Sequence, residues 1–524
     1  MKNRRRLGQL GVVTLLCLVL ITPHTAFAQA TSPFDLIEIR DETTLDVAVL
    51  QDWHVDTVSG TTRQKLIEIK VAEWWPGQDY RIPVRLIVPL TGKAAGFHIT
   101  GNHAYAGMTA DAGLDTLDQL LIDGGVGVVY TVVQALPNIP GGSVILEQMT
   151  DRFLTTHDPR YMTAWIWGMT LMRAATAALA ETDYFETGKI AGSGGSKNGV
   201  APAVALINDD RFTATHSTVA PAYASPLRLY DPATIDQAAA ADDWFFAALD
   251  CGAIDPGDHT LSWYRTKPFV TGSGWHVTAI NEGWSWEEVR QLAEDTKDYF
   301  YVSETWDTLM SRGAEVFFHP ATHDWVAWDI LWGAQHHPEI PVYYLPNGGH
   351  DQTPHPMAAT DEQNRNAFLL KHFFGGTDPM LEPPTSSCEI VADELRVTVR
   401  FESGPQPSSG RIWWIYNRHP GGSAPFLWKR IPDDQWKNMV YDGAEAAWTA
   451  SIPLDMFASS IEFFTNHGID VDGRQAYLSS PYTRVPLAFE LPTFSQIALI
   501  IPASAILLTG LTMLTRHGER KVRG

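Results

Sequence analysis

The stretch Gly194-Gly195-Ser196-Lys197-Asn198-Gly199 decides how this chain is read. It follows an apolar, strand-like Lys189-Ile190-Ala191-Gly192 and precedes a helix-like Val200-Ala201-Pro202-Ala203-Val204-Ala205-Leu206-Ile207. A strand that reverses into a helix at a serine flanked by glycines has the chemistry of a nucleophile elbow. The turn strains the serine backbone, exposes its hydroxyl at the end of the sheet and leaves the next amide free to bind an oxyanion. Such a serine needs a general base, an orienting carboxylate and a second oxyanion donor, which the rest of the chain must supply.

Around this stretch the texture is that of an α/β fold. Upstream, 66–71 and 82–88 alternate apolar and polar residues and predict antiparallel strands. Then Gly96-Phe97-His98-Ile99-Thr100 and Gly125-Val126-Gly127-Val128-Val129-Tyr130-Thr131 form short apolar runs of buried parallel-strand type. Segments 189–192, 212–219, 314–318 and 340–345 continue the series. Helical patterns separate such runs, notably 161–180, and an amphipathic helix at 362–374 closes it. The alternation predicts a doubly wound sheet covered on both faces within 36–380. A Trp- and acid-rich insertion at about 222–312 is expected to cap the strand ends. After the linker-like Pro383-Pro384-Thr385-Ser386-Ser387, short strands at 395–399, 411–416 and 461–464 predict a β-sandwich-like domain over 386–488. Nothing in that domain has catalytic spacing.

The order of the remaining chemistry matches that of α/β hydrolases, in which Ser is followed by Asp or Glu and then His. The strand-like Glu315-Val316-Phe317-Phe318 leads through His319-Pro320-Ala321-Thr322-His323 to Asp324. The strand-like Val342-Tyr343-Tyr344-Leu345 leads through Pro346-Asn347-Gly348-Gly349 to His350. Ser196, Asp324 and His350 are therefore the expected nucleophile, acid and base, with Asp329 and Asp351 as rival acids. The loop Gly101-Asn102-His103-Ala104-Tyr105, directly after a core strand, is the expected second oxyanion donor, with Asn102 or His103 adding a side chain. Lys197 places a cation beside the nucleophile, for the oxyanion or for a substrate carboxylate; a solvated first-turn lysine is the bland alternative.

Two competing constellations are weaker. His319, His323, His336, His337 and His350 match no established zinc spacing, so no metal or other cofactor is expected. Glu287-Glu288 resembles the acidic pair with which exopeptidases hold a substrate ammonium, but Ser285 three residues before Glu288 reads better as a capping box.

The ends and the charge bound the setting. Lys2, Arg4, Arg5 and Arg6, an apolar stretch at 7–21 and Ala26-Phe27-Ala28 read as a signal peptide over 1–28. At the other end, 497–514 is an apolar run interrupted by Pro502 and followed by Arg516, Arg520, Lys521 and Arg523 in the basic tail 515–524. That pattern predicts a membrane anchor with a cytoplasmic tail, or a sorting segment that is later cleaved. A formal net charge of −22 disfavours nucleic acid as a partner. Beyond the signal segment the only cysteines are Cys251 and Cys388, so no disulfide framework exists and packed cores must carry stability.

Taken together, Gly-Gly-Ser-Lys-Asn-Gly, the Phe-Phe strand with its following Asp, and Leu-Pro-Asn-x-x-His resemble the PhoPQ-activated pathogenicity-related family. The resemblance implies an exported α/β-hydrolase-like protein with a C-terminal β-rich region. The elbow is also similar to that of glucuronoyl esterases, where a basic residue follows the serine, and more distantly to acetyl xylan esterases. It departs from Gly-x-Ser-x-Gly in placing Asn198 at the second glycine, which bears on helix–sheet packing. The expectation is an exported serine hydrolase, an esterase before a peptidase of the aminopeptidase or dipeptidyl-peptidase kind. A non-catalytic surface module on the same fold is the third reading.

Overall fold

The computed structural model describes residues 32–101, 103, 108–133, 142–220, 283–323, 330–349, 353–417 and 430–487. The signal segment, most of the cap insertion with Cys251, the C-terminal apolar run, Asn102, Asp324, Asp329, His350 and Asp351 lie outside the described residues.

The strands of the large sheet are β1 (Ala48–Val55), β2 (Thr62–Trp75), β3 (Gln78–Pro89), β4 (Ala94–Thr100), β5 (Gly127–Thr131), β6 (Phe185–Gly195), β7 (Phe212–Thr218) and β8 (Glu315–His319). Their spatial order is β1-β2-β3-β5-β4-β6-β7-β8. The first three are antiparallel, as their period-two sequences predict; β5-β4-β6-β7-β8 are parallel. Pro76-Gly77 turns β2 into β3, with Gly77 at φ +83°, a conformation glycine adopts without steric cost.

Helices α1 (Leu36–Arg40), α2 (Thr116–Asp123), α3 (Gly142–Thr156), α4 (Thr163–Ala180), α5 (Lys197–Asn208), α6 (Trp286–Phe300), α7 (Val302–Ser311), α8 (Ile330–His336) and α9 (Asp361–Phe374) accompany these strands. The parallel strands send side chains to both sides, and a register irregularity between Phe212 and Ala214 puts those two residues of β7 on opposite faces. Phe97, Ile99, Ile190, Phe212 and Phe318 join a core with α4 and α5, whereas Ala191, Ala214 and Phe317 join one with Leu117 and Leu121 of α2 and Phe368 of α9. The sheet is thus covered on both faces, which is why its strands carry unbroken apolar runs. Helices α6 and α7, inside the span read as a cap, pack against α5. Ser285 caps α6 through the predicted reciprocal bonds with Glu288.

One predicted core strand is incomplete. Residues 340–345 make only the isolated parallel bridges Phe318↔Val342 and Ala321↔Leu345. Pro341 and Pro320 lack amides for a full ladder, and a serine from the C-terminal region occupies the other edge. Ser479 donates its amide to the Val342 carbonyl at 2.8 Å, and its Oγ accepts from the Tyr344 amide at 2.8 Å.

The C-terminal region is two antiparallel sheets, formed from β9 (Thr385–Val391), β10 (Glu394–Arg400), β11 (Ser409–Tyr416), β12 (Trp436–Asn438), β13 (Val440–Asp442), β14 (Ala447–Pro453), β15 (Ser460–Val471), β16 (Arg474–Ser479) and β17 (Thr483–Pro486). One sheet has the order β13-β14-β10-β9; the other is β12-β11-β15-β16, with β17 also on β15. Strand β10 alternates, burying Leu395, Val397 and Val399. By contrast β15 is buried along most of its length. Ile461 and Phe463 face the companion sheet, while Phe464, with Trp413 and Ile415 of β11, packs into the core that also holds Tyr344.

Candidate active site

Strand β4 has β5 on one side and β6 on the other, so the connections from its neighbourhood leave in opposite directions. In open α/β sheets that arrangement opens a crevice at the carboxyl ends of the strands, where ligands bind. Both oxyanion candidates lie just past the carboxyl ends of adjacent strands. Ser196 follows β6, the 101–103 loop follows β4, and Thr100 pairs with Ser193 in parallel register.

Ser196 has φ +57° and ψ −129°, a backbone state that L residues rarely occupy. Its surroundings impose it. The Ser196 amide donates to the Thr218 carbonyl of β7 at 2.8 Å, while the Gly199 and Val200 amides reach the Ser196 carbonyl at 2.8 and 3.0 Å. The flanking glycines let strand and helix touch. A Cβ at Gly194 would lie 2.3 Å from the Asn198 carbonyl oxygen, and one at Gly192 would lie 2.4 Å from Pro202 Cβ. Gly199 answers the missing glycine at 198, since its own Cβ would stand 2.8 Å from the Gly194 carbonyl oxygen and 3.0 Å from Ala220 Cβ. The Lys197 and Asn198 amides begin α5, where no intrahelical carbonyl can reach them.

Lys197 is half-buried, and burial pushes its ammonium below the ordinary range. His103 is half-buried against β5. Its ring stacks on Tyr130 at 4.0 Å between centroids, its amide leans to the Thr131 carbonyl at 3.4 Å, and burial lowers its imidazole pKa. Gly101 is required by close approach, since a Cβ there would meet Val133 Cγ2 at 2.1 Å.

The stems of the expected acid and base loops run side by side. Leu345 donates its amide to Pro320 at 2.8 Å, Thr322 to Leu345 at 3.0 Å and His323 to Gly348 at 3.0 Å. The Asn347 amide donates to Thr322 Oγ1 at 2.9 Å. Described residues thus join the two loops up to one residue before Asp324 and two before His350. Gly348 must be glycine here, because a Cβ would fall 2.3 Å from Leu345 Cδ2.

A second Ser-His-Asp set, which no sequence pattern announced, lies beneath the sheet. His98 Nε2 is 2.8 Å from Ser193 Oγ, its Nδ1 is 2.8 Å from Asp118 Oδ1, and the Tyr130 hydroxyl donates to Asp118 Oδ2 at 2.5 Å. Burial alone would raise the Asp118 carboxyl, but His98 and the Tyr130 hydroxyl outweigh it and hold it low. Ser193, His98 and Asp118 are all buried, and Ser193 sits inside the strand ladder with no elbow. The set is a satisfied core network, not a reaction centre.

The histidines considered for metal are dispersed. His319 ends β8 fully buried; His323 is in the acid-loop stem, His336 ends α8 and His337 follows it. Among the described residues no three His, Cys, Asp or Glu side chains converge as metal ligands. Also among them, no helix is long and apolar enough to cross a membrane. Cys388 on β9 is a free thiol.

No protein-family model matches the chain, and no curated protein matches it. Among solved structures it is similar to acetyl xylan esterase 1 from a Thermoanaerobacterium species, at 15% identity and TM-score 0.34, over 59% of this chain and 84% of that one. A glucuronoyl esterase from Solibacter usitatus is similar at 13% identity and TM-score 0.31, over 65% of this chain and 78% of that one. Candida antarctica lipase A in its closed state is similar at 12% identity and TM-score 0.32, over 66% of this chain and 85% of that one. Likenesses this distant carry no argument about chemistry. Strand order, helices on both faces and the strained serine at the β6–α5 junction identify an α/β-hydrolase fold with a C-terminal antiparallel β region.

Proposed function

We propose that the chain is a serine hydrolase that acts on carboxylic esters through an acyl-enzyme. The observation that carries this reading is Ser196 at φ +57°, held at the β6–α5 junction by the Thr218 carbonyl. In the reading, Ser196 Oγ attacks the ester carbonyl while His350 takes its proton, and Asp324 orients the imidazole. His350 then protonates the leaving alcohol, and water, activated by the same imidazole, releases the acid. The Lys197 amide and the 101–103 loop receive the oxyanion. The half-buried Lys197 ammonium favours charge developing beside the serine, or a substrate carboxylate.

The joined stems of the acid and base loops support the pairing of Asp324 with His350. The engagement of Glu288 in a helix cap supports an ester over a peptide, since the carboxylate that resembles half of an ammonium-binding pair is spent on structure. The motif resemblance to the PhoPQ-activated family supports the same assignment, and the terminal segments support export with a C-terminal membrane anchor. Turnover of p-nitrophenyl acetate and butyrate, abolished in Ser196→Ala, is the expected result. Cleavage of aminoacyl or dipeptidyl reporters without ester turnover would move the assignment to a peptidase. Absence of both activities would leave the interaction-module reading.

A further inference from the structure

Described residues on both sides of His350 in sequence, within 346–349 and 353–357, are bonded to the C-terminal β region. Asn347 is buried with φ +59°. Its side chain makes a two-sided clamp on the backbone of Ile431, donating from Nδ2 to the Ile431 carbonyl at 2.8 Å and accepting the Ile431 amide on Oδ1 at 2.7 Å. Its own amide reaches Thr322 Oγ1 in the acid-loop stem at 2.9 Å. Further along, Arg430 donates to the Thr353 carbonyl at 2.6 Å, and Arg411 to the Met357 carbonyl. His355 packs edge-on against Trp413 at 4.8 Å and Trp436 at 6.4 Å. The His355 amide closes the loop onto the Pro346 carbonyl at 2.8 Å.

We propose that Asn347 is a positioning residue for the catalytic base, and that through it the C-terminal β region is a working part of the active site. The inference rests on the reading of His350 as base. Three residues before His350, one buried residue ties the base-loop stem to the acid-loop stem through its backbone amide and to a backbone segment 84 positions away through its side chain. The residues that precede His350 in sequence are thus fixed from two sides, and a base carried on a fixed stem is pre-organised. Asparagine suits both tasks, because it tolerates positive φ and offers a donor and an acceptor in one plane.

Asn347→Gly keeps the backbone freedom and removes the clamp. Expected are a thermal midpoint lower by a few degrees, from the unpaired Ile431 amide and carbonyl, ester kcat lower by about 10–100-fold with KM little changed, and labelling of Ser196 by a fluorophosphonate slowed alike. A folded Asn347→Gly with wild-type kcat would overturn the proposal, because only the backbone conformation would then matter. Asn347→Asp decides the matter if the glycine variant does not fold. A carboxylate cannot donate to the Ile431 carbonyl, but a carboxylic acid can. The ratio of variant to wild-type kcat should therefore rise several-fold as pH is lowered. His323, His355, Asp433, Arg411 and Arg430 around the loop are the same in both proteins, so the ratio isolates the introduced carboxyl. A flat ratio overturns the clamp. His350→Ala, run in parallel, separates the two readings: if it keeps full activity the base assignment is wrong, and if it is inactive while both Asn347 variants behave as wild type, the clamp alone is wrong.

Discussion

Two adjacent glycines in the elbow should respond oppositely to the same methyl group. At Gly194 an added Cβ would lie 2.3 Å from the Asn198 carbonyl oxygen, 2.7 Å from its carbon and 2.9 Å from Asn198 Cβ. Carbon–oxygen contacts settle at about 3.3 Å, so the first turn of α5 must move by roughly 1 Å. Two of the three opposing atoms are backbone and cannot rotate away. Overpacking of this kind costs about 1–3 kcal/mol in stability. A displacement of about 1 Å at a reacting group can cost about 100-fold in rate. At Gly195 the nearest atoms to a new Cβ are the Thr218 oxygen and Val219 Cγ2, both at 3.7 Å, an ordinary contact. Gly194→Ala should therefore lower the rate of fluorophosphonate labelling about 100-fold and the thermal midpoint by a few degrees, whereas Gly195→Ala should change neither appreciably. Wild-type labelling and stability in Gly194→Ala would refute the packing argument. So would equal losses in both variants.

Ser193→Ala should lower stability by about 1–3 kcal/mol, the cost of leaving the buried His98 Nε2 without its partner, while labelling at Ser196 stays within about twofold of wild type. Loss of labelling without loss of stability would mean that the buried set is the reaction centre. Asp56 accepts the amides of Val58, Ser59, Gly60, Thr61 and Thr62 at 2.6–3.1 Å. Burial raises its carboxyl pKa, but these bonds outweigh it and hold the carboxyl well below the ordinary range. Its stabilising contribution is therefore complete above the unfolded value of about 3.9 and is lost as pH falls toward the folded value. Urea midpoints should show Asp56→Asn less stable than wild type at pH 7 by about 1–3 kcal/mol, with the gap narrowing below about pH 4; a gap unchanged between pH 7 and pH 3.5 would contradict the assignment.

What was legible in the sequence is local. The elbow, the period-two hairpin of β2 and β3, the apolar parallel strands and the Ser285 capping box each depend on residues a few positions apart, and each appears where its pattern placed it. What stayed hidden is long-range. His98 and Ser193 are 95 positions apart, and nothing in either neighbourhood marks the other as its partner. Residues 340–345 look like a core strand, but which atoms take their second edge depends on Ser479. The C-terminal β region showed no catalytic spacing because its link to Asn347 runs through the backbone atoms of Ile431, which carry no residue signature. The Asn at 198 read as a departure, and only the packing of Gly199 against Gly194 shows how the close approach is kept.

The central claim is that Ser196 is an activated nucleophile. Reaction of the purified protein with a fluorophosphonate, followed by mass-spectrometric mapping, tests it most directly. The account predicts one adduct, on the Ser196 hydroxyl, absent in Ser196→Ala and slowed in His350→Ala and Asp324→Ala. An unlabelled wild-type protein, or an adduct that survives in Ser196→Ala, would contradict it.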